Sequence, residues 1–184
     1  MNLIRPHSSH ISGLLAHDDV LPALFSWQAE GLRSVLVTLV SIEGGSPRPV
    51  GAQMAVCEDG RYAGYLSGGC LEQAIVLEAQ AVLEAGQNRL VRYGRGSPYF
   101  DVRLPCGSGL DVYFDAALPQ SIVSQMMTMR RARTAFALVT DLDGAVSTIR
   151  GFAGENSASR REGSVFTRIF LPEPRIAILG AGPT

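Results

Sequence analysis

Net charge is almost absent from this chain: 16 basic residues against 17 acidic ones leave −1 over 184 residues. No basic run interleaves with aromatics, so the electrostatic footprint of a nucleic-acid binder is missing. The one dense basic cluster, Arg130, Arg131 and Arg133, falls at the end of an expected helix, where it complements the helix dipole. Long apolar runs are lacking as well. Val35 to Ile42 is interrupted by Thr38 and Ser41 and is far too short for a membrane span. Residues 1–19 hold all three histidines and several serines, but not the apolar core of a secretory signal. They read as a mobile leader, and no cysteine or carboxylate cluster joins His7, His10 and His17 to make a metal site.

Cysteine is scarce. Cys57, Cys70 and Cys106 are odd in number and widely spaced, which makes neither a disulfide framework nor a zinc site. Free thiols suit a reducing cytoplasm. With every histidine in the leader, no Cys–His pair supports thiol catalysis. No internal repeat is visible.

What is present describes a globular domain. The hydrophobic fraction is 46% and the charged fraction 18%, enough to bury a sizeable core. Asp18 and Asp19 can cap a helix running to about Gly31, with Leu21, Leu24, Phe25 and Leu32 at helical spacing. Arg33 to Ile42 is apolar on both alternating faces and predicts a central strand covered on both sides. Gln53 to Glu58 and Arg61 to Tyr65 predict a hairpin turning at Asp59-Gly60. Leu71 to Ala85 is rich in helix formers, with Gly86 at the C-cap position.

Further on, Leu90 to Tyr93, Phe100 to Leu104 and Leu110 to Phe114 predict strands. A helix is expected from about Pro119 to Arg131. Thr134 to Thr140 and Ala145 to Arg150 predict a second hairpin at Asp143-Gly144. Gly151 to Gly163 reads as a polar loop, and Val165 to Leu171 as a strand. The fold class is α/β, an α+β mixed sheet with flanking helices. Residues 20–172 form the domain. Residues 173–184 read as a linker and the first strand of a Rossmann-like second domain whose start is truncated, because Ile176 to Leu179 runs into Gly180-Ala181-Gly182.

Three glycine-rich loops adjoin strands: Gly44 to Gly51, Ser67-Gly68-Gly69-Cys70, and Cys106 to Gly109. Glycines let backbone N–H groups converge on an anion. The middle loop also opens a helix, whose positive end favours an anion and a thiolate. Cys70 is therefore a candidate nucleophile or metal ligand, or else a small apolar residue. Cys106 carries the same two readings, and Cys57, inside a strand, reads as structural. Arg48, between two prolines, is either an anion clamp or a partner of Glu43 or Glu72. Glu72 either complements the helix dipole or hydrogen-bonds a pterin-like N–H edge.

Taken in order, Gly45-Ser46-Pro47-Arg48-Pro49-Val50-Gly51-Ala52-Gln53-Met54, Asp59-Gly60, Ser67-Gly68-Gly69-Cys70-Leu71-Glu72 and Pro105-Cys106-Gly107 resemble the N-terminal domain of the XdhC/CoxI family, over about residues 20–116. The resemblance implies an accessory factor, not an enzyme. Such a factor binds molybdenum cofactor, protects it and supports the exchange of an oxo for a sulfido ligand by a cysteine desulfurase. It then inserts the cofactor into xanthine dehydrogenase or a related molybdenum hydroxylase. It implies a cofactor site at Cys70, Ser67, Gly68, Gly69, Glu72, Gly45, Ser46, Arg48, Cys106 and Gly107, with Cys70 at the metal. Family analogy also suggests a homodimer. The third loop departs from the family's Cys-Gly-Gly, reading Cys106-Gly107-Ser108, which keeps the turn small but reduces its tolerance for left-handed backbone. The competing reading is an NAD(P)-dependent oxidoreductase with a thiol-containing site.

Overall fold

The structure is a computed structural model and describes residues 19–97, 104, 107–154 and 157–174. The leader to residue 18, Phe100 to Arg103, Pro105, Cys106 and the Gly180-x-Gly182 segment lie outside the described residues.

The doubly apolar segment becomes β1 (Ser34–Glu43), buried from Ser34 to Val40. It sits at the middle of a five-stranded antiparallel sheet. Its neighbours are β2 (Gln53–Cys57), β3 (Tyr62–Gly64), β4 (Arg89–Gly94) and β5 (Gly109–Asp115), in the order β3-β2-β1-β5-β4. Val35, Val37 and Leu39 point to one face and pack under Ile75, Ala79 and Val82 of α2 (Glu72–Ala85). Leu36 points to the other, against α1 (Leu21–Ala29) and α3 (Gln120–Arg131), which supply Leu24, Trp27, Val123 and Met126. A strand covered on both sides cannot alternate apolar with polar, which is why its sequence reads as one continuous run.

α1 begins one residue after Val20, with Asp19 Oδ1 accepting from the Leu21 N–H at 3.3 Å. Asp19 also pairs with Arg130 of α3. α2 ends as expected at Gly86, whose φ is +64°.

The second hairpin forms as β6 (Phe136–Asp141) and β7 (Val146–Gly151). It is extended by β9 (Val165–Phe170) and β8 (Arg160–Glu162) into a second antiparallel sheet, ordered β7-β6-β9-β8. The mixed α/β class with flanking helices therefore holds, realised as two antiparallel sheets. β8 lies within the segment read as a polar loop. Its three residues are all charged and exposed, so no apolar alternation marks them, and only pairing with β9 makes them a strand.

The two sheets meet at Val40, Tyr113, Leu142 and Phe166 and at a buried polar joint. Asp115, 5% exposed, closes β5. Its carboxylate accepts from Asn88 Nδ2 at 3.0 Å, the Ala117 N–H at 3.1 Å and the Ser147 hydroxyl of β7 at 3.0 Å. Because Ser147 gives its proton to Asp115, it accepts from Thr140 of β6 at 2.9 Å. Burial raises the Asp115 carboxyl above its ordinary value, opposed by the donors from Ser147 and Asn88. Replacing Asp115 with Ala removes the buried acceptor that these half-buried donors share. Urea unfolding should show Asp115→Ala less stable by about 2–4 kcal/mol, and a loss below about 0.5 kcal/mol would show the joint to be incidental.

Candidate functional site

Antiparallel pairing brings the three glycine loops to one end of the five-stranded sheet. β1 finishes at Glu43 opposite Gly109, the first residue of β5. β4 finishes at Gly94, also opposite Gly109. β2 starts beside the finish of β3, with Met54 opposite Gly64. The connections holding Gly45, Ser46 and Arg48, Ser67 to Glu72, and Gly107 therefore leave the sheet at the same edge.

Loops one and three touch directly. The Ser108 hydroxyl donates to the Gly45 carbonyl, and Ser108 is 1% exposed. Its φ is not positive, so the serine that departs from the family pattern costs no left-handed strain. It contributes a hydrogen bond that glycine lacks. Ser46 turns inward, its Oγ accepting from the Arg48 N–H at 3.3 Å. Loops one and two meet through Arg48, whose guanidinium lies 4.5 Å from the Tyr65 ring centroid and donates to the Tyr65 hydroxyl at 3.3 Å. Of the partners weighed for Arg48, Glu43 instead holds Arg92 and Arg95.

Glu72 is engaged by its own loop. Its carboxylate accepts from the N–H groups of Leu66 at 3.0 Å, Ser67 at 2.8 Å, Gly69 at 2.7 Å and Leu71 at 3.3 Å, and from the Ser67 hydroxyl at 2.7 Å. Ser67 Oγ in turn accepts from the Leu71 N–H at 2.7 Å. Amides read as an anion cradle thus converge on a carboxylate the chain carries itself. Burial alone raises this carboxyl, but the Ser67 N–H and hydroxyl and the Leu66 N–H outweigh it and lower it from 4.5 to about 2.

This inward clamp turns the loop's other side outward. Gly68 and Gly69 have φ of +76° and +117°, and a side chain at either would meet nothing within 4 Å. The chain adopts a backbone that glycine tolerates and leaves open space above it. Cys70 is exposed. Beside it an open cleft is lined by Tyr62, Tyr65, Gly68, Gly69, Glu72 and Gln73. Among the described residues no three His, Cys, Asp or Glu side chains gather as a metal cage. Cys57 is fully buried in β2, consistent with a structural part. Gly107 stands at this end, while Cys106 lies outside the described residues.

Two further features of this edge carry no motif in the sequence: the tyrosines Tyr62 and Tyr65, and an ion-pair cluster. Arg92 pairs with Glu43 and, at 3.1 Å, with Asp111, its cross-strand neighbour. Glycine fits at 109 because a side chain there would press on the Arg95 main-chain carbonyl, at 2.8 Å, as well as on the Arg92 guanidinium. The opposite charges face one another only once register is known. No helix among the described residues is long and apolar enough to cross a membrane.

Fold and loops together define a two-sheet α/β domain that presents the exposed Cys70 thiol on a clamped glycine loop. Residues 27–94 match the model of the XdhC and CoxI family. The chain is 58% identical over 80 residues to the molybdenum cofactor insertion chaperone PaoD of Escherichia coli, covering 44% of this chain and 25% of that protein. It is 36% identical over 74 residues to a probable xanthine dehydrogenase subunit of Bacillus subtilis, covering 40% and 22%. It spans a quarter or less of these curated relatives. A crystal structure of a xanthine dehydrogenase from Bacillus halodurans shares the fold, with a TM-score of 0.64 at 23% identity over 84% of this chain and 53% of that one.

The clamp makes a quantitative expectation. Glu72→Gln replaces one acceptor oxygen with a donor amide facing N–H groups, and should cost about 2–3 kcal/mol in denaturant unfolding. Because the folded carboxyl titrates near 2 and not 4.5, its stabilisation is complete above pH 4.5 and is lost as pH falls towards 2. Melting temperature followed between pH 6 and pH 2 should fall in the native chain and be flatter in Glu72→Gln. Parallel profiles would show that the clamp contributes nothing to stability.

Proposed function

We propose that this chain supplies the cofactor-holding part of an accessory protein that carries molybdenum cofactor and inserts it into a molybdenum hydroxylase, without turnover of its own. The observation that carries the reading is the exposed Cys70 thiol on an open glycine loop within the segment matched to the XdhC and CoxI family. The name of the PaoD relative supports the choice of cargo.

The site fits a bulky cargo approached by one soft ligand. A thiolate suits a soft metal centre, and the space above Gly68 and Gly69 admits a group of some size. In this assignment Cys70 approaches the metal, and Ser67, Gly68 and Gly69 form the near wall. Gly45, Ser46 and Arg48 form the second wall, and Cys106 with Gly107 the third. Glu72 positions the loop from behind. The cargo supplies the metal centre on which the client enzyme's chemistry depends. This chain's residues bind it, shield it and let it go.

The finer parts belong to the same proposal. The client is xanthine dehydrogenase or a related hydroxylase, and a cysteine desulfurase acts on the cofactor while it is held. The assembly is a homodimer and works in the cytoplasm.

Co-elution with molybdenum cofactor released from a donor enzyme tests the reading. The native chain should retain cofactor on gel filtration, and Cys70→Ala should retain roughly tenfold less with an unchanged melting temperature. No retention by the native chain, or equal retention by Cys70→Ala, would sink it. Cofactor-free carbonyl reduction with NADH consumption would point to an oxidoreductase.

A further inference from the structure

The arginines at the end of α3 play no part in the thiol site. Arg131 lies over Phe25, 5.8 Å from the ring centroid. Arg130 and Arg133 instead line a cavity of about 430 Å³ between the start of α1, the end of α3 and β9, together with Arg168 of β9. This cavity lies on the α1–α3 face of the five-stranded sheet, whereas the Cys70 loop opens α2 on the other face. Its apolar floor includes Phe136 and Phe170, whose rings stack at 4.7 Å with planes 10° apart. Size and composition are those of a small-molecule pocket: an apolar floor with a few convergent polar groups.

Charge on the wall selects the ligand. Three guanidiniums face two carboxylates, of Asp19 and Glu173, which leaves positive charge in excess. Asp19 is engaged by Arg130. Arg133 reaches the Glu173 main-chain carbonyl, at 2.5 Å, and not its carboxylate. Arg168 is fixed in place: Nη1 donates to the Ile169 carbonyl at 2.8 Å and to Ser159 Oγ at 3.3 Å, and the guanidinium lies 5.0 Å from the Phe170 centroid.

Arg133 gives the second, independent indication. Its φ is +55°, a backbone that L residues rarely adopt and that glycine ordinarily supplies just past a helix. The turn closes α3, with the Arg133 N–H on the Arg130 carbonyl and the Thr134 N–H on the Met129 carbonyl, each at 3.0 Å. Glycine would make the same turn without strain. What arginine adds is a guanidinium on the cavity wall, and strained residues of this kind gather at ligand clamps.

We propose that this cavity binds a small phosphate monoester bearing an aromatic ring, with the phosphate held by Arg133 and Arg130 and the ring laid against the Arg168 guanidinium, which itself rests on Phe170. More than one guanidinium fork matches an oxyanion with three free oxygens better than a carboxylate with two.

Isothermal titration of the full chain with AMP and with phenyl phosphate tests this, with adenosine and inorganic phosphate as controls. At least one aromatic phosphate should bind, with both controls roughly tenfold weaker or more. Arg133→Gly should weaken binding by roughly tenfold while the melting temperature holds or rises, because the strained backbone is relieved. A purely structural Arg133 would not separate these two readouts. If Arg133→Gly lowers the melting temperature, Arg133→Lys, which keeps the charge but not the fork, must still weaken binding. Cys70→Ala should bind as the native chain does, which keeps this site distinct from the cofactor reading. Absence of binding by both aromatic phosphates, or native affinity in both Arg133 variants, overturns the proposal.

Discussion

β1 is buried on both faces, and the arrangement of the domain follows from that one constraint. A strand without a wet side needs an α-helical layer above and below and a hydrogen-bonded neighbour at each edge. α2 covers one face of β1, and α1 with α3 covers the other. β2 and β5 pair at its edges, both antiparallel. Antiparallel neighbours reverse direction, so the chain leaving β1 and the chains entering β2 and β5 share one end of the sheet. The glycine loops occupy that end because the register leaves them no other place.

Glu72 decides what the middle loop does with its polar groups. Backbone N–H groups converging at a helix start form an anion site in general. Here the anion is covalently part of the helix, and the Ser67 to Leu71 segment wraps around it. The consequence is a division of labour within six residues. Ser67 and Glu72 hold the loop from within, while Gly68, Gly69 and Cys70 face outward. A thiol presented in this way is held by backbone geometry, beside the cleft that Tyr62 and Tyr65 help to line.

Much of this was legible in the residues themselves. Continuous apolar character marked β1, Asp59-Gly60 and Asp143-Gly144 marked two hairpins, and Gly86 marked the end of α2. The glycine loops and Cys70 stood out by composition. β8 did not, because a strand of Arg160, Arg161 and Glu162 has no apolar face to betray it. Arg48 had two candidate partners by charge, Glu43 and Glu72, and it took an aromatic ring from the neighbouring loop. Ser108 looked like a weakened glycine position and proved to be a hydroxyl joining two loops. Arg133 looked like an ordinary helix-end cation, and its left-handed backbone became visible only in three dimensions.

The clamped loop with its exposed thiol shows where the boundary lies. Local sequence determined which segments become strands and helices, because periodicity and turn chemistry act over a few residues. It also determined that a cysteine would stand at a helix start behind two glycines. Tertiary structure alone decided which way that loop faces, which loops meet it and which charges are already paired. Those outcomes depend on contacts between residues far apart in the chain, Ser108 with Gly45 or Arg92 with Glu43. No local pattern specifies such contacts, since they exist only once antiparallel register has set the strands side by side.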